Sequence, residues 1–259
     1  MPPFTTFICV YKRLWKETLK IREIGQHARC ARCAELSAWL AKEHDPQKRA
    51  DIMATRDAHL SSMLSDRDLE ERLNFLSEAS CTKSGPGAGT GRILKIDIDG
   101  MDEAKFKLPR NTDNSKSLKD LWRPSMDIIG IIAWGLYEAY IIMEPDNPKK
   151  SSAQSTIVAQ ALDWAFDMLA GKGLEMPDHV IIQADNAASD IRNNAMLVFG
   201  GMIVAAGRLR SWSNHFHRVG HTHGPLDQRL SVAGACVARS KVLQTPAAML
   251  EVQTQRMSD

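Results

Sequence analysis

The order of strand-like and helix-like segments between residues 92 and 243 constrains the fold more than any other feature. RILKIDIDG (92–100) alternates apolar and polar residues and ends in glycine, which predicts a strand. The following segments are two β-rich runs on either side of Gly135, a helix at 151–173, a strand at 179–186, a helix at 187–208, a strand at 211–221 and a helix at 225–243. The order β, β, β, α, β, α, β, α predicts a mixed sheet with helices packed on its faces.

The N-terminal third has a helical rather than a mixed residue pattern. Apolar residues at helical spacing predict helices across residues 12–80. CTKSGPGAGTG (81–91) is rich in glycine and small residues, which favours neither helix nor strand. We therefore predict a helical N-terminal region at 1–80, a linker at 81–91 and an α/β core at 92–259.

Composition indicates an ordinary soluble globular protein, with 44% apolar and 25% charged residues. The chain contains no run of eighteen apolar residues, so no membrane span is expected. The N-terminal segment has a short apolar patch followed by charge, the reverse of a secretory signal. Five irregularly spaced cysteines favour a reducing compartment, and we expect a nuclear protein in a eukaryote and a cytoplasmic one otherwise.

Positive charge is concentrated in two regions of a chain whose net charge is only +2. Residues 1–59 hold eleven Lys/Arg against seven Asp/Glu, a net of +4, and residues 207–241 hold six against one, a net of +5. Such regions could hold a polyanion, but on charge alone a solvated surface is the better interpretation. The arginines expected to contact DNA phosphates are Arg208, Arg210, Arg218 and Arg229.

Three aspartates fall at comparable places in the predicted core. Asp99 ends the first strand, Asp185 ends the fourth, and Asp227 lies in the first turn of the last helix. Ligands gather at strand ends in open α/β sheets, and clustered carboxylates repel one another unless a cation neutralises them. For each aspartate alone a turn residue is the better interpretation, whereas the three together in this element order favour a cluster. Asp97 and Asp99 also form a DxD pair, which in glycosyltransferases binds a metal-bound nucleotide sugar. No nucleotide-binding βαβ unit precedes this pair, which argues against that function.

Three sequence segments of the predicted core resemble the motifs of a known family. IDGMDEAKFKLPR (98–110), QADNAASDIRNN (183–194) and FHRVGHTHGPLDQRLS (216–231) resemble the motifs of an uncharacterised transposase-derived domain related to DDE transposases and retroviral integrases. The resemblance implies an RNase H-like five-stranded core, Mg²⁺ or Mn²⁺ as cofactor, DNA as partner, and cleavage or transfer of DNA strands. It leaves open whether the chain forms a homo-oligomer. The implied metal ligands are Asp99, Asp185 and Asp227; the implied supporting residues are Asn186, Asn193, His221 and His223.

The chain also departs from the family pattern. Gly224-Pro225 replaces the acids often found after the second histidine, and Leu230 stands where an aromatic residue is usual. These departures keep open an alternative function as a truncated or degenerate, catalytically inactive DNA- or protein-binding module.

Two further patterns could bind zinc. Cys30-x-x-Cys33 is half of a tetrahedral zinc site, with His27, His44, His59 and Cys81 as candidate partners, although helical cysteines are more often core residues. The four histidines of HFHRVGHTH (215–223) could instead form a mononuclear zinc hydrolase site, although their spacing to Asp227 does not match a metallo-hydrolase motif. A polar turn explains the same histidines without a metal.

Overall fold

The computed structural model describes residues 30–83, 91–101, 106–111, 122–143, 151–184, 194–216 and 224–255. Two compact units are distinguished, Met1–Met53 and Ala54–Asp259. The helices are α1 (Ala31–Lys42), α2 (Pro46–Ser80), α3 (Ser151–Gly171), α4 (Asn194–Ala205), α5 (Pro225–Arg239) and α6 (Pro246–Gln255). The strands are β1 (Ile93–Gly100), β2 (Arg110–Asn111), β3 (Asp127–Ala133), β4 (Tyr137–Met143), β5 (His179–Ala184), β6 (Ser211–Phe216) and β7 (Val242–Leu243).

Five strands form one mixed sheet in the order β4-β3-β1-β5-β6. β1 pairs antiparallel with β3 and parallel with β5, while β5 pairs parallel with β6. The hairpin between β3 and β4 turns at Gly135, whose φ of 86° is a left-handed conformation that glycine adopts without steric cost. This sheet with its flanking helices confirms the predicted mixed five-stranded sheet, preceded by a helical region.

The main hydrophobic core lies on one face of the sheet. Leu94, Ile96 and Ile98 of β1 point into it, together with apolar side chains of β3 and β5. α3 covers this face through buried residues that include Val158, Ala161 and Ala165. Because side chains alternate along a strand, the intervening residues of β1 point to the opposite face.

The last predicted helix is shorter than the sequence indicated. It was expected at 225–243 but ends at Arg239, and Val242–Leu243 instead forms β7, which pairs with β2. α6 follows and was not predicted, although Thr245 Oγ1 accepts a hydrogen bond from Ala248 N–H (3.2 Å) and Pro246 opens the helix.

The other predicted elements agree with the structure to within a few residues wherever it describes them. Residues 84–90 of the expected linker lie outside the described residues, so the linker and the domain boundaries stay predictions. Among the described segments, no helix combines the length and apolar character that crossing a membrane requires.

Candidate functional site

A strip of polar side chains occupies the face of β1 that points away from the main core. Lys95, Asp97 and Asp99 alternate with the core residues of this strand, so all three share one face. Strand pairing places Gln183 beside Asp97, and His215 of β6 beside Gln183. The centre of the sheet therefore carries charged and polar groups on the face opposite the main core.

Lys95 and Asp97 form a buried ion pair in this strip. Lys95 Nζ lies 2.5 Å from Asp97 Oδ1, and Trp134 Nε1–H donates to Asp97 Oδ2 at 2.8 Å. The Lys95 ammonium also lies 5.5 Å from the centroid of the Trp134 ring, within the range of a cation–π contact. Burial lowers the pKa of Lys95, while the Asp97 carboxylate and the charge of Glu70 oppose that shift.

The C-terminal end of α2 closes one end of the strip with serine side chains. Ser77 Oγ accepts a hydrogen bond from Lys95 N–H at 2.9 Å and donates to the Trp134 carbonyl at 3.0 Å. Ser80 Oγ accepts from Ile93 N–H at 3.1 Å. These hydroxyls satisfy backbone groups that would otherwise be buried without partners, which lets the helix pack closely against the strand.

Asp99 lies near the C-terminal end of β1 and is half-buried. Its Oδ1 accepts a hydrogen bond from Gly100 N–H at 2.8 Å. The neighbouring pair, Ile98 with Ala184, is the last pair described between β1 and β5. The strand that precedes Asp185 in the chain therefore ends beside the strand that carries Asp99, whereas Asp185 itself lies outside the described residues.

Asp227 occupies the first turn of α5. Gly224 is the residue before the helix, Pro225 opens it, and Asp227 Oδ2 accepts a hydrogen bond from Gly224 N–H at 3.0 Å. This contact fixes the carboxylate at the helix N-terminus, where the helix dipole favours negative charge.

α5 packs on the sheet over Gly130, the residue of β3 that pairs with Asp99. Gly130 of β3 pairs with Asp99, and a Cβ added at Gly130 would lie 2.7 Å from Leu230 Cδ2 and 2.9 Å from Leu226 Cδ1. The absence of a side chain at Gly130 therefore lets α5 lie close to the sheet. Leu226 precedes Asp227, so the first turn of α5 lies over the strand pair that contains Asp99.

The predicted supporting residues are described only in part. Asn186, Asn193, His221 and His223 lie outside the described residues, as does Arg218. His215 is described and half-buried; burial lowers its pKa, and the positive charge of Lys95 lowers it further.

The described arginines lie in two different places. Arg208 and Arg210 precede β6, whose first residue pairs with the first residue of β5, so they lie at the opposite end of the sheet from Asp99, about 20 Å along the strands. Arg210 Nε lies 3.3 Å from Asp178 Oδ1. Arg229 follows Asp227 on α5 and donates to Glu138 on β4. Their predicted contacts with DNA stay predictions.

Cys30 and Cys33 lie one turn apart at the start of α1. Neither forms a disulfide with a described cysteine; Cys30 is buried and Cys33 half-buried. Two thiols at this spacing agree with half of a zinc site, which stays a prediction.

Sequence reasoning missed the residues that surround Asp97. Lys95, Trp134 and Ser77 were not singled out, because polar residues alternating along a strand usually face solvent. A lysine between two long apolar side chains, two residues before an aspartate, is the signal that could have indicated the buried pair.

The C-terminal half of the chain matches one protein family. A family model described as "Domain of unknown function (DUF7869)" matches residues 116–258. No curated protein matches the chain.

Similar solved structures are complexes and domains of a transposase. The Mos1 mariner paired end complex with Mn is 12% identical, with a TM-score of 0.44, and the match covers 100% of this chain and 81% of that chain. The Mos1 transposase paired-end complex with left transposon end is 13% identical, with a TM-score of 0.42 and the same coverages. The catalytic domain of Mos1 mariner transposase is 14% identical, with a TM-score of 0.40, over 73% of this chain and 80% of that chain.

Proposed function

The chain belongs to the family described as a domain of unknown function (DUF7869), and we propose that it is a transposase-like protein that cleaves or transfers DNA strands with divalent metal ions. One observation supports this proposal above the others. Leu226 and Leu230 pack on Gly130, which pairs with Asp99, so the first turn of α5, which carries Asp227, lies over the strand pair that contains Asp99.

The arrangement favours Asp99 over Asp97 as a metal ligand. Both oxygens of Asp97 accept hydrogen bonds, from Lys95 and Trp134, and its side chain is buried beside a compensating positive charge. Asp99 lies two residues further along, at the half-buried end of the strand. A metal ion at the strand end would therefore meet the Asp99 carboxylate, while Asp97 holds Lys95 in place.

The proposed ligand set is Asp99, Asp185 and Asp227. Asp185 directly follows Ala184, whose partner Ile98 directly precedes Asp99, so the proposal places these two aspartates on neighbouring strand ends. Carboxylate oxygens are the ligands that Mg²⁺ and Mn²⁺ prefer. Asn186, Asn193, His221 and His223 would support the three aspartates through hydrogen bonds.

The chemistry follows from this ligand set. A pair of divalent ions, when bound, supplies the charge that activates a water or hydroxyl and stabilises the leaving oxygen of a phosphodiester. Asp99, Asp185 and Asp227 would hold these ions. Gly224 N–H donates to Oδ2 of Asp227, and the packing of α5 on Gly130 fixes the helix relative to β1. Arg229 would position the DNA backbone beside Asp227.

Cleavage of supercoiled plasmid DNA tests the proposal. The protein should nick plasmid in Mg²⁺ or Mn²⁺ and lose that activity in EDTA, and Asp99→Asn, Asp185→Asn and Asp227→Asn should each lower the rate at least about a hundredfold, since each removes a charged ligand. Asp163→Asn, on the exposed face of α3, serves as the matched control and should keep full activity.

Two outcomes would contradict the proposed mechanism: nicking that persists in EDTA, and nicking that survives Asp185→Asn. Salt-dependent DNA binding without cleavage in any metal would support the catalytically inactive binding module instead. Stoichiometric zinc that is lost in a variant combining His221→Ala with His223→Ala would support the zinc hydrolase. Zinc lost in Cys30→Ser with Cys33→Ser would assign the metal to the CxxC pair.

A further inference from the structure

Three short segments meet at the end of the sheet where β1 finishes. The segments are 106–111, 122–126 and 238–245. Lys107 bridges to Ser125, Arg110 pairs with Leu243, and Arg110 Nη2–H donates to the Ala238 carbonyl at 2.9 Å. A buried apolar cluster lies beneath them, formed by Phe106, Leu108, Met126, Ile128, Val237, Leu243 and Met249. The cluster holds the three segments together as one surface.

The charged residues of these three segments are all basic. Within the three segments stand five Lys/Arg and no Asp or Glu; the five are Lys107, Arg110, Arg123, Arg239 and Lys241. Lys107, Arg239 and Lys241 are exposed. Within the part of the chain that the structure describes, none of the five has an ion-pair partner. The charges therefore remain available to an external anion.

An exposed tryptophan lies in the same surface. The Trp122 side chain is 83% exposed, the most exposed of the large apolar side chains described. It directly precedes Arg123, whose Nη1–H donates to the Pro109 carbonyl at 3.4 Å. An exposed aromatic ring that stands next to a cation in the chain suits a stacked base.

We define the Trp122 surface as Trp122 with those five cations. It lies at the same end of the sheet as Asp99. β3 runs antiparallel to β1, so the segment 122–126 that precedes β3 lies at the end of β1 that carries Asp99. Asp227 and Arg239 lie in the first and last turns of α5, twelve residues and about 18 Å apart along the axis.

We infer that the Trp122 surface binds single-stranded DNA, with its cations on the phosphates and Trp122 stacked on a base. The choice of DNA over RNA rests on the proposed function, whereas the binding does not require an active acid site. Bases are available for stacking in a single strand, and therefore Trp122 should contribute to single-strand affinity and little to duplex affinity.

A structural explanation for part of this charge makes a different prediction. Arg239 lies in the last turn of α5, where a cation interacts favourably with the helix dipole. If that were its role, its removal would lower stability without changing affinity for nucleic acid. The dipole explains neither the position of Lys107 nor the exposure of Trp122.

Fluorescence anisotropy with a labelled 20-nucleotide single strand, in EDTA, tests the inference on the full chain. The triple variant Lys107→Gln, Arg239→Gln, Lys241→Gln should raise Kd at least about tenfold and make the slope of log K against log salt shallower by about two. Trp122→Ala should raise Kd for the single strand about tenfold while leaving duplex affinity nearly unchanged, and Trp122→Phe should retain binding.

The triple variant Arg56→Gln, Arg67→Gln, Arg72→Gln on the exposed side of α2 carries the same charge change and serves as the control. An unchanged Kd and salt slope in the surface variant, with the control equal to it, would overturn the inference. So would binding to RNA alone, or to anionic phospholipid vesicles but not to DNA. The binding assay is run in EDTA, where metal-dependent cleavage cannot occur. Binding by the Trp122 surface can therefore be observed in Asp99→Asn, and the two proposals can fail separately.

Discussion

Lys95 and Asp97 form an ion pair that the fold buries completely on the lysine side, with Lys95 Nζ 2.5 Å from Asp97 Oδ1 and the Lys95 side chain 0% exposed. The pair lies two residues from Asp99, on the same face of β1. It satisfies one aspartate of the DxD sequence internally and leaves the next at the strand end, where the proposed metal site lies.

Breaking this pair should destabilise the fold strongly. Asp97→Asn leaves the Lys95 ammonium buried without a counter-charge, and we expect the free energy of unfolding to fall by about 3 kcal/mol. Replacing both partners, Lys95→Met with Asp97→Leu, should recover much of that loss because no buried charge remains. Urea unfolding of the single and double variants measures both effects. A double variant as unstable as the sum of its singles would contradict the account.

The acid sensitivity of the protein should depend on His215. Burial and the charge of Lys95 lower the pKa of His215 below its ordinary 6.5, so the unfolded chain binds more protons than the folded chain just below that pH. The neutral ring therefore contributes stability that is complete above about pH 6.5 and is lost as the pH falls through the lowered pKa of the folded state.

Removing the ring should flatten the pH dependence. In His215→Asn, the free energy of unfolding between pH 7 and pH 5 should fall less steeply than in the unaltered chain. His44→Asn, at an exposed position, should leave the slope as it is. The measurement is urea unfolding across that pH range, and equal slopes in all three proteins would refute the assignment.

Neighbouring glycines of α4 should respond oppositely to alanine. A Cβ at Gly200 would lie 2.4 Å from Trp212 Cδ1, whose ring also packs edge-on against Phe199, whereas a Cβ at Gly201 meets nothing within 4 Å. Gly200→Ala should therefore lower stability by about 1–3 kcal/mol through overpacking, and Gly201→Ala should raise it by up to about 1 kcal/mol through helix propensity. Thermal unfolding of the two variants checks the signs, and equal shifts would argue against the packing of Trp212 on Gly200.

The position of α5 should depend on the missing side chain at Gly130. Gly130→Val adds atoms where Leu226 and Leu230 already lie, so we expect a loss of about 1–3 kcal/mol in stability and a larger relative loss of plasmid nicking. Gly171→Val, where an added Cβ meets nothing within 4 Å, is the control. Nicking that stays normal in a destabilised Gly130→Val would show that the seating of α5 does not position Asp227.

The sequence predicted the sheet well because its strands carry local signals. β3 and β4 are continuous β-rich runs on either side of Gly135, and helix α3 has a clear apolar face. The burial of Lys95 was not predictable in the same way, since alternation along β1 does not reveal that α2 covers the second face. The two-residue pairing of β2 with β7 depends on contacts between residues more than 130 positions apart, which local patterns do not record.

Local patterns also identified some residues of the candidate site and not others. Strand ends and a helix start identified Asp99 and Asp227 as candidates, and pairing of β1 with β3 then related them through Gly130. The sequence could not distinguish Asp97 from Asp99, because the distinction depends on Trp134 and Lys95 meeting one of the two carboxylates.

Anomalous scattering from crystals soaked in Mn²⁺ tests the central claim most directly. The account predicts a metal peak bound by Asp99, Asp185 and Asp227, with the three carboxylates within about 8 Å of one another and Asp97 still paired with Lys95. A peak that avoids Asp99, or an Asp227 carboxylate that points away from the other two in the metal-soaked crystal, would contradict it.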